Sequence, residues 1–328
     1  MNNILLTCGF CGYESTADEF DLDKFGQGFW CNDCDGYTYY SDIDNVKHKF
    51  LLILEDKSTE NSIYFKAPIP LNKRLSPLRY PGGKSKLIEY LYSKLQKTNI
   101  DTFGEAFCGG SSVGLSLLEA GVIKNLILND LDYGVFSLFS IIKENPDMLI
   151  DKIKNYEPTH KDFFKSREII TNNYSNCDLF EAAWALLVVN RLAYSGIYKA
   201  NPLGGRNGSK KDLLSRWSPN TICKRIEKIN LMKDRITVLN MDACELIEEM
   251  YWNPFTTIFI DPPYYVKGKD LYYCYFNEEQ HVKLNTLLDS LYKGCPGADI
   301  LLTYDNAKFI EDLYLYPEIE KINRVYTI

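Results

Sequence analysis

The chain of 328 residues has no apolar stretch long enough to cross a lipid bilayer, which excludes a membrane-spanning protein. Its first residues, Met1 to Thr7, lack a basic flank and a long apolar run, so they do not resemble a signal peptide. Neither an internal repeat nor a low-complexity tract is present. We therefore expect a cytoplasmic globular protein, long enough for one large domain and a small one.

An excess of positive charge is also missing, since the formal net charge is -7. The charge is unevenly distributed, however. Residues 199–235 contain ten Lys or Arg against three Asp or Glu, and residues 72–97 contain seven against one, whereas residues 1–71 carry twelve acids and five bases. Binding of a nucleic acid would therefore have to be local. Composition alone leaves open that these stretches are ordinary solvated surface.

Disulfides are not expected among the ten cysteines, because no export signal accompanies them. Cys8 and Cys11 form one Cys-x-x-Cys pair, and Cys31 and Cys34 form a second after nineteen residues. This spacing is typical of a four-cysteine structural zinc site, with iron or plain thiols as alternatives. Residues 1–41 are thus predicted to be a zinc-ribbon-like module. Its acidity argues against a grip on DNA phosphates and favours a structural role or docking of a protein partner.

From residue 77 onward, short apolar segments alternate with amphipathic ones. Residues 102–107, 125–129, 236–240, 256–260 and 299–304 are predicted strands, and residues 113–120, 133–143, 244–251 and 278–292 are predicted helices. This alternation favours a doubly wound α/β fold with a mostly parallel sheet. Residues 42–76 are interpreted as a connector with one apolar run, Phe50 to Leu54, that fits a strand. Residues 146–219 interrupt the alternation and are predicted to be an inserted, partly helical subdomain.

Two motifs follow the first two predicted strands of this region. Glu105-Ala106-Phe107-Cys108-Gly109-Gly110-Ser111-Ser112 is a glycine-rich turn that lets the backbone approach a ligand at the carboxyl end of a strand. Asp130 ends the next strand, where an acidic side chain commonly binds ribose hydroxyls. A turn with only a packing role and a helix N-cap are the structural alternatives.

The third motif, Asp261-Pro262-Pro263-Tyr264, directly follows an apolar strand. Two prolines cannot continue a central strand, so they form a stiff turn with exposed carbonyls. An exocyclic amine of a base is a poor nucleophile because its lone pair is delocalised into the ring. The Asp261 carboxylate and the Pro262 carbonyl can hold its two hydrogens and favour a tetrahedral nitrogen, while Tyr264 can stack on the base. A structural aspartate that caps the turn is the alternative.

Together these motifs resemble the Dam-type DNA adenine-N6 methyltransferases, in which the cofactor motif precedes the target-recognition region and the catalytic motif follows it. Four further segments resemble family motifs, and all seven occur in family order between about residues 77 and 315. They are Arg79-Tyr80-Pro81-Gly82-Gly83-Lys84, Asn190 to Tyr198, Asn240-Met241-Asp242 and Leu301 to Asn306. Two features depart from the pattern: the glycine loop reads Phe-Cys-Gly-Gly-Ser, and the chain stops at Arg324 to Ile328, where family members usually continue into a returning edge strand. A last strand without a partner is therefore expected to be a weak point of the sheet.

The resemblance implies a Rossmann-like catalytic domain formed by residues 77–145 and 220–328, in the cytoplasm of a bacterial, archaeal or phage-infected cell. It implies direct methyl transfer from S-adenosylmethionine to N6 of a flipped-out adenine, with Asp261, Pro262 and Tyr264 as catalytic residues. The implied cofactor-binding residues are Tyr80, Gly83, Lys84, Glu105, Phe107, Gly109, Asp130, Asp242 and Asp261. No cysteine nucleophile is needed, so the six cysteines beyond the N-terminal module are expected to be ordinary thiols.

The basic region 199–235 then has a role in binding double-stranded DNA. Arg206, Lys210, Lys211 and Arg216 are expected to neutralise phosphates, and Asn201, Asn207 and Arg191 to reach base edges. Tyr194 and Ser195 complete the expected DNA-binding set. Alternatives on the same scaffold are cytosine-N4, an RNA base or a glutamine amide as acceptor, or a non-catalytic DNA-binding module. The recognition sequence, the oligomeric state and the biological use of the mark stay open.

Overall fold

In the computed structural model of this protein, the residues described are 5–7, 11, 13–16, 20–22, 28–34, 37–39, 49–56, 66–79, 82–95, 100–266, 268, 273–294 and 297–323. Among them, no helix has both the length and the apolar character that a transmembrane span requires. The predicted residues Cys8, Tyr80 and Arg324 to Ile328 lie outside these ranges.

The N-terminal region contains short strands in two antiparallel sheets. Strand β1 (Leu5–Thr7) pairs with β2 (Glu14–Thr16). Strands β3 (Asp21–Leu22), β4 (Gly28–Trp30) and β5 (Tyr37–Tyr39) form a three-stranded sheet in that order. Phe20 and Phe29 pack against each other within this small module, with ring centroids 4.4 Å apart.

A seven-stranded sheet forms the centre of the rest of the chain. Its strands are β6 (Phe50–Asp56), β7 (Ile100–Glu105), β8 (Ile123–Asn129), β9 (Ile236–Leu239), β10 (Thr256–Ile260), β11 (Asp299–Asp305) and β12 (Glu318–Asn323). The order across the sheet is β12-β6-β11-β10-β7-β8-β9, and every neighbouring pair is parallel. This confirms the predicted doubly wound α/β class.

Helices connect most of these strands. They are α1 (Ile88–Lys94), α2 (Ser112–Glu119), α3 (Tyr133–Glu144), α4 (Pro146–Asn155), α5 (His160–Thr171), α6 (Leu179–Leu192), α7 (Lys210–Leu213), α8 (Pro219–Asn230), α9 (Ala243–Tyr251), α10 (Glu278–Gly294) and α11 (Lys308–Leu313). Short 3-10 turns occur at Lys84–Lys86 and Tyr194–Gly196, among others.

The helices cover both faces of the sheet, as continuous apolar strands require. Alternate side chains of β6 show this directly: Leu51 and Ile53 belong to one buried cluster, while Leu52 and Leu54 belong to the other. The first cluster also holds side chains of α4, α5 and α6, so much of the region 146–219 packs into the main core. The second cluster holds side chains of α9, α10 and α11.

The sheet contains one strand from the segment interpreted as a connector. Strand β6 lies between β11 and β12 and is parallel to both, with Leu51 to Leu54 each fully buried. The apolar run at Phe50 to Leu54 indicates a strand, but it does not indicate which strands are its neighbours. The expected weakness of an unpaired last strand does not apply to β12, which pairs with β6 along six residues.

Candidate active site

The sheet reverses its winding direction between β7 and β10. From β7 the chain proceeds outward through β8 and β9, whereas β10 is followed by β11 on the other side. Ligands of open α/β sheets bind at such a switch point, beyond the carboxyl ends of the strands. A cleft of about 990 Å³ lies there. It is lined by predicted site residues from several motifs: Gly83, Lys84, Glu105, Phe107, Gly109, Asp130, Ser195, Asp242, Asp261 and Tyr264.

The glycine-rich loop connects β7 to helix α2 in a tight turn. Gly109 and Ser111 both have φ of 46°, a left-handed conformation that favours glycine at the first position. The loop is held to the next strand by hydrogen bonds from the Cys108 amide to the Asn129 carbonyl (2.8 Å) and from the Gly109 amide to Asp130 Oδ2 (2.8 Å). The loop backbone, from Cys108 to Ser112, therefore forms one wall of the cleft.

Two buried carboxylates belong to this wall: Glu105 ends β7, and Asp130 directly follows the neighbouring strand β8. Glu105 Oε1 accepts from the Gly114 amide (2.9 Å), and Asp130 Oδ1 accepts from the Asp132 amide (3.0 Å). Burial raises the pKa of Glu105 to about 7, and the charges of Asp261 and Asp130 add to the effect. Burial also raises the pKa of Asp130 to about 7, with a further contribution from Asp132.

Asp242 occupies a third strand end, after β9. Its Oδ1 accepts from the Cys244 amide at 2.9 Å, which caps helix α9, and its side chain stays 44% exposed. Asp242 is therefore a helix N-cap, and its carboxylate keeps further acceptor sites beside the cleft.

Asp261 begins the turn that follows β10, and two donors hold one of its oxygens. Lys84 Nζ donates to Asp261 Oδ1 at 2.5 Å, and Thr303 Oγ1, on β11, donates to the same oxygen at 2.7 Å. Burial raises the pKa of Asp261, the Lys84 ammonium opposes this shift, and the Glu55 carboxylate adds to it. Among the described residues, none donates a backbone hydrogen bond to the Pro262 carbonyl.

Tyr264 is less accessible than the sequence suggests. Only 5% of its surface is exposed, and its hydroxyl accepts from Lys84 Nζ (3.0 Å) and donates to Glu55 Oε1 (3.3 Å). The turn itself is fixed by Asp305, whose two carboxylate oxygens accept from the amides of Tyr265 and Val266 at 3.0 and 3.1 Å. The Asp-Pro-Pro-Tyr turn is thus rigid, with Tyr264 anchored through its hydroxyl.

Glu55 is the residue of this site that sequence reasoning missed. It is 2% exposed, it lies near the end of strand β6, and its Oε1 lies 3.1 Å from Lys84 Nζ. Lys84 is equally buried, so one ammonium group lies between two carboxylates, those of Glu55 and Asp261. The available signal was weak: an acidic residue directly after the apolar run Phe50 to Leu54.

The structure places most of the predicted DNA-binding residues at the surface or the cleft, but it buries one of them. Those in and after the Tyr194–Gly196 turn are mostly on the surface: Tyr194, Asn201, Arg206, Lys210, Lys211 and Arg216 are exposed, and Ser195 lines the cleft. Lys210 forms an ion pair with Glu157. Arg191 differs from the expectation that it reaches base edges, because it lies on the inward face of α6 and is only 6% exposed.

Three of the four predicted zinc ligands lie together in the N-terminal module. The sulfur atoms of Cys11, Cys31 and Cys34 are all within 4.8 Å of one another, and those of Cys11 and Cys31 are 3.7 Å apart. Thiolates at this separation suit a tetrahedral metal ion. The fourth predicted ligand, Cys8, is outside the described residues.

A parallel sheet with a glycine-lined acidic cleft at its switch point, next to a rigid Asp-Pro-Pro-Tyr turn, defines an α/β amino-methyltransferase. The family model of the D12 class N6 adenine-specific DNA methyltransferases matches residues 80–328. The chain belongs to this family, which confirms the predicted family and makes the protein an adenine-specific DNA methyltransferase.

Curated relatives agree with this assignment. The chain is 25% identical to the Type II methyltransferase M.MjaIII of Methanocaldococcus jannaschii, over 75% of this chain and 89% of the relative. It is 23% identical to the Type II methyltransferase M.CviBI of Paramecium bursaria Chlorella virus NC1A, over 74% and 89% respectively. Modification methylase StsI of Streptococcus sanguinis is 26% identical over 58% of this chain and 29% of its own length.

Proposed function

We propose that this methyltransferase transfers a methyl group from S-adenosylmethionine directly to N6 of an adenine flipped out of double-stranded DNA, with Asp261 at the centre of the reaction. The observation that carries this proposal is the asymmetric bonding of the Asp261 carboxylate. Lys84 and Thr303 both donate to Oδ1, which fixes the group and leaves Oδ2 to accept one amine hydrogen. The Pro262 carbonyl, which has no backbone donor among the described residues, is the acceptor for the other.

These two acceptors define the chemistry expected of the turn. With both hydrogens held, the nitrogen lone pair is drawn out of conjugation and aimed at the methyl group. The positive charge that develops on nitrogen is stabilised by the nearby carboxylates in a buried, low-dielectric setting. The ring of Tyr264 borders the base site, and its bonded hydroxyl keeps the ring from turning.

The family implies S-adenosylmethionine, and the residues of the cleft fit it. Buried carboxylates at neighbouring strand ends border the cleft beside the glycine-rich loop, a set that suits ribose hydroxyls and a positively charged sulfonium group. We propose that Gly83, Lys84, Glu105, Phe107, Gly109, Asp130 and Asp242, with Tyr80, hold this cofactor: glycines for close backbone approach, Asp130 for the ribose hydroxyls and Asp242 for the adenine. When bound, the cofactor supplies a methyl group on a sulfonium centre.

We assign recognition of the DNA to region 146–219 together with its basic continuation. The exposed residues Arg206, Lys210, Lys211 and Arg216 are suited to phosphates. The bases are proposed to contact Tyr194 and Asn201, which are exposed, and Ser195, which lines the cleft.

The N-terminal module is proposed to bind zinc through Cys8, Cys11, Cys31 and Cys34. Its role is structural or the docking of a protein partner.

Mass spectrometry of nucleosides tests the reaction. Unmethylated DNA is incubated with S-adenosylmethionine and either the wild-type protein or Asp261→Ala, then hydrolysed. We expect N6-methyladenine with the wild type and a loss of at least about a hundredfold in rate with the variant, because one of the two acceptors is removed. Full activity of Asp261→Ala in a folded, cofactor-binding protein would overturn the role of this residue. Appearance of N4-methylcytosine would change the substrate.

A further inference from the structure

Two arginines, Arg79 and Arg225, form part of one wall of the cleft beside Arg74 and Ser76. Arg191 is buried next to Asn190, whose side-chain amide exchanges two hydrogen bonds with the Arg79 backbone. The pKa of Arg191 is lowered to about 10, first by burial and then by the charges of Arg225 and Arg79. The Arg191 guanidinium is therefore within repulsive range of the other two.

Nothing in the described part of the chain compensates these charges. Nε and Nη2 of Arg191 and Nη1 of Arg79 are buried without a hydrogen-bond partner, and Arg225 Nη1 donates to the Ser76 carbonyl at 2.8 Å. No described carboxylate forms an ion pair with any of the three arginines. Buried charges without a partner are costly, so an external anion is the natural occupant of this wall.

We propose that Arg79, Arg191 and Arg225 form a binding site for one phosphodiester group of the DNA, with Arg79 and Arg225 touching the phosphate and Arg191 adding charge from behind. The proposal rests on the proposed function. Guanidinium groups bind phosphate oxygens through paired, charge-assisted hydrogen bonds. Because this wall and Asp261 border the same cleft, the phosphate belongs to the strand that carries the target adenine.

The surrounding charges favour a DNA phosphate as the bound anion over the other candidate, the carboxylate group of the cofactor. Burial lowers the pKa of Arg225, and the charge of Arg74 lowers it further. Burial also lowers the pKa of Arg79, and the charge of Arg216 adds to that effect. Arg74 and Arg216 therefore extend the positive field outward from the site. Arg216 belongs to the exposed basic region proposed to follow the DNA backbone. A chain of phosphates matches such a continuous basic surface, whereas one carboxylate does not.

Binding of a labelled mixed-sequence DNA duplex, measured across a range of salt concentrations, tests the site. We expect Arg79→Met and Arg225→Met each to raise the Kd by about tenfold to a hundredfold at low salt. The slope of log K against log salt should fall by about 0.9 for each phosphate that a variant no longer neutralises. Arg167→Met is the matched control, since Arg167 packs on Phe163 and Phe164 and does not line the cleft.

A stability measurement distinguishes an anion-binding role of Arg191 from a purely structural one. Arg191→Met removes an uncompensated buried charge, so its Tm should equal or exceed that of the wild type, while its affinity for the duplex falls. Added sulfate should raise the Tm of the wild type more than that of Arg191→Met. A Tm well below the wild type, with no difference in the sulfate response, would show a structural arginine and overturn the proposal.

Two further outcomes would also overturn it. If Arg79→Met and Arg225→Met bind the duplex like the wild type but lose affinity for S-adenosylmethionine by calorimetry, the wall belongs to the cofactor carboxylate. If both affinities are unchanged while the wild type methylates DNA, the anion site is wrong and the proposed function stands. Failure of the proposed function is separately visible as a wild-type protein that makes no methylated adenine.

Discussion

Glu55 Oε1 lies 3.1 Å from Lys84 Nζ, in a site where both side chains are almost fully buried. Lys84 belongs to the family-matched region, whereas Glu55 precedes it, on a strand that the family model does not cover. The same ammonium group donates to Asp261 at 2.5 Å. Two carboxylates therefore share one cation, and the buried cluster as a whole carries a negative charge when all three groups are ionised.

This arrangement predicts the behaviour of Glu55→Gln. Beyond the effect of burial, Glu55 raises the pKa of Asp261 through its charge, so its removal should lower that pKa and move the acid limb of the kcat profile to lower pH. With Lys84 paired to Asp261 alone, Asp261 becomes a weaker acceptor, and kcat should fall by about tenfold with little change in KM.

The control for this prediction is Glu144→Gln, which removes a 72% exposed carboxylate on helix α3. It should leave both kcat and the pH profile unchanged. A Glu55→Gln protein that loses activity without any shift of the acid limb, or that shifts it to higher pH, would contradict a role for Glu55 in positioning and charging the Lys84–Asp261 pair.

Asp130→Asn tests the proposed ribose contact. The asparagine retains the size of the side chain, and its single oxygen can accept from the Gly109 amide, which holds the loop, while the bond to the Asp132 amide is lost. Loss of the charged acceptor should weaken cofactor binding by about tenfold or more. Isothermal calorimetry with S-adenosylmethionine measures this directly, and an unchanged Kd would remove Asp130 from the cofactor site.

The pH dependence of stability follows from the raised pKa values of Glu105 and Asp130. In both groups the folded pKa, about 7, lies above the ordinary value, so the folded state binds protons more tightly than the unfolded state. Their stabilising contribution is complete below the ordinary carboxyl pKa and is lost as the pH rises through about 7. Without cofactor, Tm should therefore decline between about pH 4 and 7, by the equivalent of a few kcal/mol, and level off above that interval.

The matched variant for this measurement is again Asp130→Asn, which cannot ionise. Its Tm should decline less steeply over the same interval than that of the wild type. A wild-type Tm that rises with pH in this interval would mean that the two carboxylates are already ionised in the folded protein.

The cysteine cluster predicts one zinc ion per chain. Cys31→Ser, which replaces the buried member of the cluster, should lose the metal and lower the stability of the N-terminal module, because structural zinc binding contributes directly to folding. Zinc content is measured by atomic emission of the purified protein. Cys177→Ser, which replaces a thiol of region 146–219 far from this motif in sequence, should retain the full content. Iron, or no metal, in the wild type would contradict the assignment.

Three motifs of the catalytic cleft could be predicted from the sequence because each lies at or directly after the end of an apolar strand. Buried parallel strands are continuous and apolar, so the positions of Glu105, Asp130 and Asp261 at strand ends follow from local pattern alone. Since the carboxyl ends of parallel strands meet at one edge, their convergence follows as well, and the structure agrees with it.

Arg191 shows where local pattern fails. Its place in a motif next to a basic region favoured a surface role, yet a helix has an inward and an outward face, and packing of α6 against α3 and α5 decides which residues lie inside. The same dependence on packing leaves Tyr264 with its hydroxyl against Lys84 and Glu55 rather than open to the cleft.

The sequence by itself determined the class of sheet and the family, and it supplied the residues proposed to carry the chemistry, because these depend on short-range order along the chain. The tertiary structure decided that β6 lies between β11 and β12, which brings Glu55 to Lys84 and Asp261 from positions far apart in the chain. It also placed Arg79 and Arg225 at the cleft and buried Arg191 within range of their charges. The order of strands in the sheet and the inward faces of the helices depend on packing between residues that are distant in sequence. A local sequence pattern carries no information about these contacts.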